Sequence, residues 1–243
     1  MRLGIAVAGT TAFLLIGLVA AATRPAPREA SVVAAAPSPY ATADPAVTSR
    51  VDPDLERGRL ARDDRESRAM PVVRGLIVPI EGAALPSDPD LLPNAPRDFR
   101  AGWHEGIDFP APAGTPVRAV AAGTVIRVDR EFIDWERATR EIALYDAVQL
   151  GYTPAATLDR IRGRQVWIDH GGGIVSRYAH LSAVADLSVG EVIEAGTIVG
   201  AVGSSGYPEG GPHLHLEIRV GTSYLGDGLS GQTLLDALSR AFD

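Results

Sequence analysis

His104-Glu105-Gly106-Ile107-Asp108, His180 within Arg177-Tyr178-Ala179-His180-Leu181, and His213-Leu214-His215 together hold four of the chain's five histidines and the carboxylates of Glu105 and Asp108. Imidazole nitrogens and carboxylate oxygens are what zinc takes where no thiolate is offered, and this sequence has no cysteine. The constellation points to a catalytic zinc site. Its segments lie far apart in sequence, so the fold has to bring them together.

Local pattern suggests how each segment presents its groups. In His213-Leu214-His215-Leu216-Glu217-Ile218 polar and apolar residues alternate, and a strand sends residues two apart to the same face. His213, His215 and Glu217 then face the site, while Leu214, Leu216 and Ile218 face the core. Glu217 reads either as a group that orients a ligand or as a surface salt bridge. The 104–108 segment has helical spacing, but Gly102, Gly106 and the prolines at 110 and 112 argue against a helix. Fully extended, four residues span roughly 13 Å, too far for two side chains to share an ion, so a bend at Gly106 is expected. His170 sits beside the Gly171-Gly172-Gly173 turn and is read as structural.

Composition removes several functions. All 23 basic residues are arginine, which excludes Schiff-base lysines, a P-loop lysine and a lysine bearing biotin or lipoate. Without cysteine there is no thiol catalysis and no disulfide. A net charge of -7 argues against nucleic acid as a partner.

The chain divides into three parts. Residues 1–22, Met1-Arg2 followed by an uncharged, largely apolar run from Leu3 to Ala22, are read as a signal peptide or an N-terminal membrane anchor and the only expected contact with a membrane. Residues 23–70, rich first in Ala, Pro, Ser and Thr and then in Arg, Asp and Glu, read as a disordered, charged linker. Residues 71–243 carry short Val- and Ile-rich runs bounded by glycine and proline, which predict strands at 72–79, 115–120, 124–128, 165–169, 174–178, 198–202 and 214–220.

A helical insertion is expected at about 131–163. Asp134 would cap a first helix whose Trp135, Ala138, Ile142 and Tyr145 form its inward stripe and which stops at Gly151; a second would start at Thr153-Pro154 with Leu158 and Ile161 inward. The insertion reads as an ornament packed on the sheet or as a wall beside the site. A C-terminal helix over 233–242 would close the core.

The ordered motifs His104-x-Gly106-x-Asp108, Tyr178-x-His180-Leu181 and Gly211-Pro212-His213-Leu214-His215 resemble those of the LytM/lysostaphin-type zinc metallopeptidases, the M23 family, over roughly 77–225. The resemblance implies a compact, mainly β, antiparallel sandwich-like domain with its site in a groove across one sheet. It implies one zinc ion held by His104, Asp108 and His215, with His180 and His213 as the catalytic pair, His213 as base and His180 as oxyanion stabiliser. It further implies a zinc endopeptidase that cuts peptide crosslinks or bridges of bacterial peptidoglycan outside the cytoplasm. The competing expectation is a non-catalytic or gated wall-binding protein that controls another cell-wall hydrolase. The chain departs from the family's usual Ser-x-Phe-Gly-x-Arg before the first motif, carrying residues Leu92 to Arg100 there, and has Tyr207-Pro208-Glu209 where small polar residues are common.

Overall fold

The computed structural model describes residues 73–243. The signal peptide or anchor expected at 1–22 and the linker at 23–70 lie outside the described residues. Among the described residues, no helix is long and apolar enough to cross a membrane.

In chain order the elements are β1 (Pro96–Arg97), β2 (Gly102–Trp103), β3 (Ile107–Pro110), β4 (Pro116–Arg118), β5 (Gly123–Val128), α1 (Arg137–Leu150), α2 (Ala155–Arg162), β6 (Val166–Asp169), β7 (Ile174–Ala179), β8 (Ala183–Val184), β9 (Val192–Ile193), β10 (Ile198–Ala201), β11 (His213–Val220), β12 (Ser223–Tyr224) and α3 (Gly231–Ala241). The main sheet runs β12-β11-β7-β6-β5-β9, and β3 also pairs with β11. A second sheet runs β4-β10-β8, and β1 and β2 form a short ribbon. Every pairing is antiparallel. The domain is thus mainly β, with a helical insertion and a C-terminal helix, as the sequence predicts.

The strand β11 organises the rest because alternation gives it two different faces. Leu214 and Leu216 are wholly buried and Ile218 nearly so, joining Val125, Ile168 and Tyr178 in the core. One edge of β11 pairs with β7; the other is shared, β3 lying along 213–216 and β12 along 219–220. Helix α3 closes the core as expected, burying Leu234, Leu238 and Ala241.

Two local readings are corrected. The run at 72–79 forms no strand among its described residues: Gly75 takes a φ of +73°, which breaks the extended repeat, and the segment is tied instead by Leu76 N–H to the Ala241 carbonyl and Ile77 N–H to the Val120 carbonyl. It still buries Val73 and Leu76. Helix α1 stops at Gly151 as expected but shows the opposite face inward. Arg140 and Ala147 are buried, whereas Ile142 and Tyr145 are 62% and 64% exposed. Asp134 does not cap it; its carboxylate accepts the Gly206 N–H. The reason is what the helix packs on. No residue of α1 joins the hydrophobic core, and its inward face is set by polar partners, Arg140 pairing with Glu209 and bonding the Trp135 carbonyl.

Replacing Ile142 or Tyr145 by glutamine should therefore shift stability by less than about 0.5 kcal/mol. Ala147→Leu, on the face the sequence left unassigned, should cost about 1–3 kcal/mol through overpacking. Urea unfolding of the three variants measures both effects.

Candidate metal centre

The pairing of β3 with β11 sets Asp108 directly opposite His215, and Ala179 lies opposite His215 on the other side. His104 arrives from the loop before β3 through a bend at Gly106. Glycine is required at this bend for close approach rather than for a special φ. A Cβ here would lie 2.5 Å from the Leu216 carbonyl oxygen and 2.9 Å from His215 Cε1.

The three candidate ligands converge. His104 Nε2 is 2.9 Å from Asp108 Oδ1 and 3.0 Å from His215 Nδ1, and His215 Nδ1 is 2.8 Å from Asp108 Oδ1. Around a tetrahedral zinc with bonds near 2.0–2.2 Å, neighbouring donor atoms sit about 3.3 Å apart, so these atoms need move only a few tenths of an ångström to embrace an ion. Among the described residues, His104, Asp108 and His215 form the group able to hold a metal, and all three are buried.

The imidazoles are turned the right way by their other nitrogens. His104 donates from Nδ1 to the Leu92 carbonyl at 2.8 Å, leaving its Nε2 lone pair on the cluster. His215 donates from Nε2 to Glu217 Oε1 at 3.2 Å, leaving Nδ1 toward Asp108. Such outer partners fix tautomer and ring orientation. Burial opposes ionisation of Asp108, yet bonds from His104 and His215 hold it well below the usual carboxylate range. Burial would likewise lower His215, but Asp108 and Glu217 push it up to about 9. The cluster thus attracts positive charge between Nδ1 and the carboxylate, where a divalent cation would replace the proton. The donors and their fixed tautomers fit a metal.

His180 and His213 stand beside this cluster, their ring centroids 4.7 Å apart and that of His180 5.7 Å from His215. Alternation along β7 alone would send His180 to the core face with Tyr178. A φ of +60° breaks the alternation and turns it toward the site, a conformation that costs a non-glycine residue roughly 1–2 kcal/mol. It is held by its N–H on the Arg162 carbonyl and by Nδ1–H on the Ser205 carbonyl at 2.9 Å. Burial, with His213 and His215 nearby, pushes His180 down to about 3. His213 donates from Nδ1 to the Gly211 carbonyl, and its Nε2 lies 3.8 Å from Asp108 Oδ1. His170 is elsewhere, bonded to the Ala122 carbonyl and Ser176 Oγ, the structural role expected of it.

Glu217 is not a surface salt bridge. It is 1% exposed and meets Arg162 Nε at 2.6 Å and Arg177 Nη1 at 3.3 Å. Sequence reasoning missed Arg162, and it missed Arg97, whose Nη2 lies 3.3 Å from the second oxygen of Asp108. Neither belongs to a motif, so no local signal marked them.

A cleft of about 280 Å³ opens over these groups. Phe99 from the segment before β2 stacks on Tyr207 with centroids 4.9 Å apart and planes 11° from parallel. The insertion contributes Leu158, Ile161 and Arg162 to the lining. It is tied to the 206–209 loop through Trp135, Asp134 and Arg140, and to Arg100 through Thr153. Of its two expected roles it serves as a wall of the cleft.

Two histidines and an aspartate closing on one point, with two further imidazoles beside them on an antiparallel sheet, form a group that could hold one metal ion, an arrangement of the metallopeptidase kind. The chain belongs to peptidase family M23, whose model matches residues 102–226. It is 35% identical over 117 residues to the DD-carboxypeptidase/endopeptidase Mpg of Neisseria meningitidis serogroup B, covering 48% of this chain and 20% of that protein. It is 29% identical over 126 residues to lysostaphin of Staphylococcus simulans, covering 51% and 20%. To the peptidoglycan DD-endopeptidase ShyA of Vibrio cholerae it is 30% identical over 125 residues, covering 51% and 22%. The chain thus spans only about a fifth of the length of these curated relatives.

His104→Ala, Asp108→Ala and His215→Ala should each abolish stoichiometric metal uptake, whereas His180→Ala and His213→Ala should retain it. Glu217→Gln should weaken metal binding by about 10- to 100-fold. Elemental analysis after dialysis, with titration against a competing chelator, measures each outcome.

Proposed function

We propose that this protein is a zinc-dependent endopeptidase acting on peptide crosslinks or bridges of bacterial peptidoglycan. The observation that carries the reading is the convergence of His104 Nε2, Asp108 Oδ1 and His215 Nδ1 within 3.0 Å of one another beside a pair of further imidazoles. The names of two relatives support the substrate class, ShyA being a peptidoglycan DD-endopeptidase and Mpg a DD-carboxypeptidase/endopeptidase. Action on that substrate is extracytoplasmic, which agrees with residues 1–22 serving as a signal peptide or a membrane anchor. A non-catalytic, regulatory role is not favoured, because the ligand set and both neighbouring imidazoles are all present and face the cleft.

In this reading His104, Asp108 and His215 hold one zinc ion, which supplies an acidified water and polarises the scissile carbonyl. His180 and His213 form the proton-handling pair. Each is anchored through Nδ1–H on a backbone carbonyl, so each presents an Nε2 lone pair to the cleft. The proton released by the attacking water is taken up at this pair and returned to the departing amine. The shared tautomer weighs against dividing the two from the outset into a base and a donor, because a neutral His180 has no N–H left for an oxyanion. Arg97, on the second oxygen of Asp108, leaves the first oxygen for the ion.

Incubating the purified protein with isolated peptidoglycan, with and without a chelator, should release fragments whose new amino and carboxyl termini identify the bond cut. Absence of metal-dependent release would overturn the proposal. His180→Ala and His213→Ala should each lower kcat by about 100-fold or more.

A further inference from the structure

We propose that Arg162, the last residue of α2, is a positioning residue of the metal centre: it fixes Glu217 and through it His215, making the insertion part of the site. The proposal rests on the ligand set given above. Arg162 and Glu217 lie 55 positions apart and are both buried, their side chains 8% and 1% exposed. Arg162 Nε donates to Glu217 Oε1 at 2.6 Å, and the same oxygen accepts the His215 Nε2–H at 3.2 Å. The guanidinium therefore holds the very atom that turns Nδ1 of His215 toward the ion.

The same residue reaches two further partners. Its Nη2 bonds Glu105 Oε2 at 3.0 Å, on the loop between His104 and Asp108. Glu105 is in turn held by Arg219 Nη1 at 2.8 Å. The Arg162 main-chain carbonyl accepts the N–H of His180, the residue held at positive φ. One arginine at the end of the insertion thus touches the loop of the first ligands, the orienting partner of the last ligand and the backbone of a catalytic imidazole.

The other cations near Glu217 cannot replace it. Arg177 approaches the second oxygen at 3.3 Å while its guanidinium stacks on Trp167, and Arg219 lies 3.7 Å away while bound to Glu105. Neither touches Oε1. A guanidinium spans the two carboxylates with separate nitrogens, which a point-like ammonium cannot do. Loss of the 2.6 Å bond would leave a buried carboxylate free to rotate off His215.

The test compares Arg162→Met, Arg162→Lys, Glu217→Gln, the Arg162→Met/Glu217→Gln double variant and Asp159→Asn. Asp159→Asn breaks the bidentate contact of α2 with Arg127 without touching Glu217. Zinc dissociation constants and the visible spectrum of the cobalt-loaded protein are measured for each. Arg162→Met should weaken zinc binding by about 10- to 100-fold and shift the cobalt bands, with Arg162→Lys recovering part of both. In the Glu217→Gln background Arg162→Met should add less than about threefold, because the two act through one bond. Asp159→Asn should lower stability while leaving affinity and spectrum unchanged.

Wild-type affinity and spectrum in folded Arg162→Met, full additivity with Glu217→Gln, or an equal loss in Asp159→Asn would each overturn the proposal. If Arg162→Met does not fold, Arg162→Lys decides: a partial loss supports the role and wild-type behaviour overturns it. A wild-type protein that takes up no metal would overturn the ligand assignment itself, a result distinct from all of these.

Discussion

The antiparallel pairing of β3 on β11 is the constraint from which the site follows. It places Asp108 across from His215 over a separation of 107 residues, close enough for Oδ1 and Nδ1 to lie 2.8 Å apart. Directly opposed residues in such a ladder have their Cβ atoms about 4.5–5.5 Å apart, so one ion can bridge short side chains across it. The bend at Gly106 then needs only to return His104 to the same point, and the absence of a Cβ there lets the loop lie against β11. A metal site built on paired strands inherits the rigidity of the sheet.

Collecting that many polar groups under a sheet would be destabilising if they were left unpaired. The structure pairs them in sequence. Leu92 and Glu217 take the outward N–H groups of His104 and His215, Arg97 takes the second oxygen of Asp108, and Arg162 with Arg177 neutralises Glu217. Removing one member of such a buried set costs more than the set contributes as a whole, because its partner stays behind without compensation. The same network explains why the site side of β11 tolerates charge while the opposite side, Leu214 to Ile218, is a hydrocarbon surface.

The insertion docks by polar contacts, which is why it is unlike the other helices. Helix α3 is held by an apolar stripe on the core, whereas α1 and α2 are held by Arg140 on Glu209, Asp159 on Arg127 and Arg162 on Glu217. It touches the segment before β2, the 206–209 loop and the sheet, and it lends Leu158, Ile161 and Arg162 to the wall of the cleft. The stacked Phe99 and Tyr207 complete that boundary.

Much of this was legible in the amino-acid order. Strand alternation is a local property with a period of two, so His213, His215 and Glu217 could be assigned to one face, and Leu214, Leu216 and Ile218 to the other, from six consecutive residues. Donor chemistry was equally local: without cysteine, imidazole and carboxylate were the groups left for zinc, and it was the resemblance to the M23 motifs that narrowed them to His104, Asp108 and His215. The short strands and the closing helix followed from composition and glycine placement. What only the tertiary structure decided are the relations between distant segments. Which nitrogen of each imidazole faces the site depends on Leu92, Glu217, Ser205 and Gly211, and the orientation of His180 depends on a positive φ that alternation does not foresee. The face of α1 was misread because apolar periodicity reports burial only where the partner is apolar, and its partners are charged. Arg97 and Arg162 carried no mark in the sequence, since an arginine acquires its role from the carboxylate the fold brings to it.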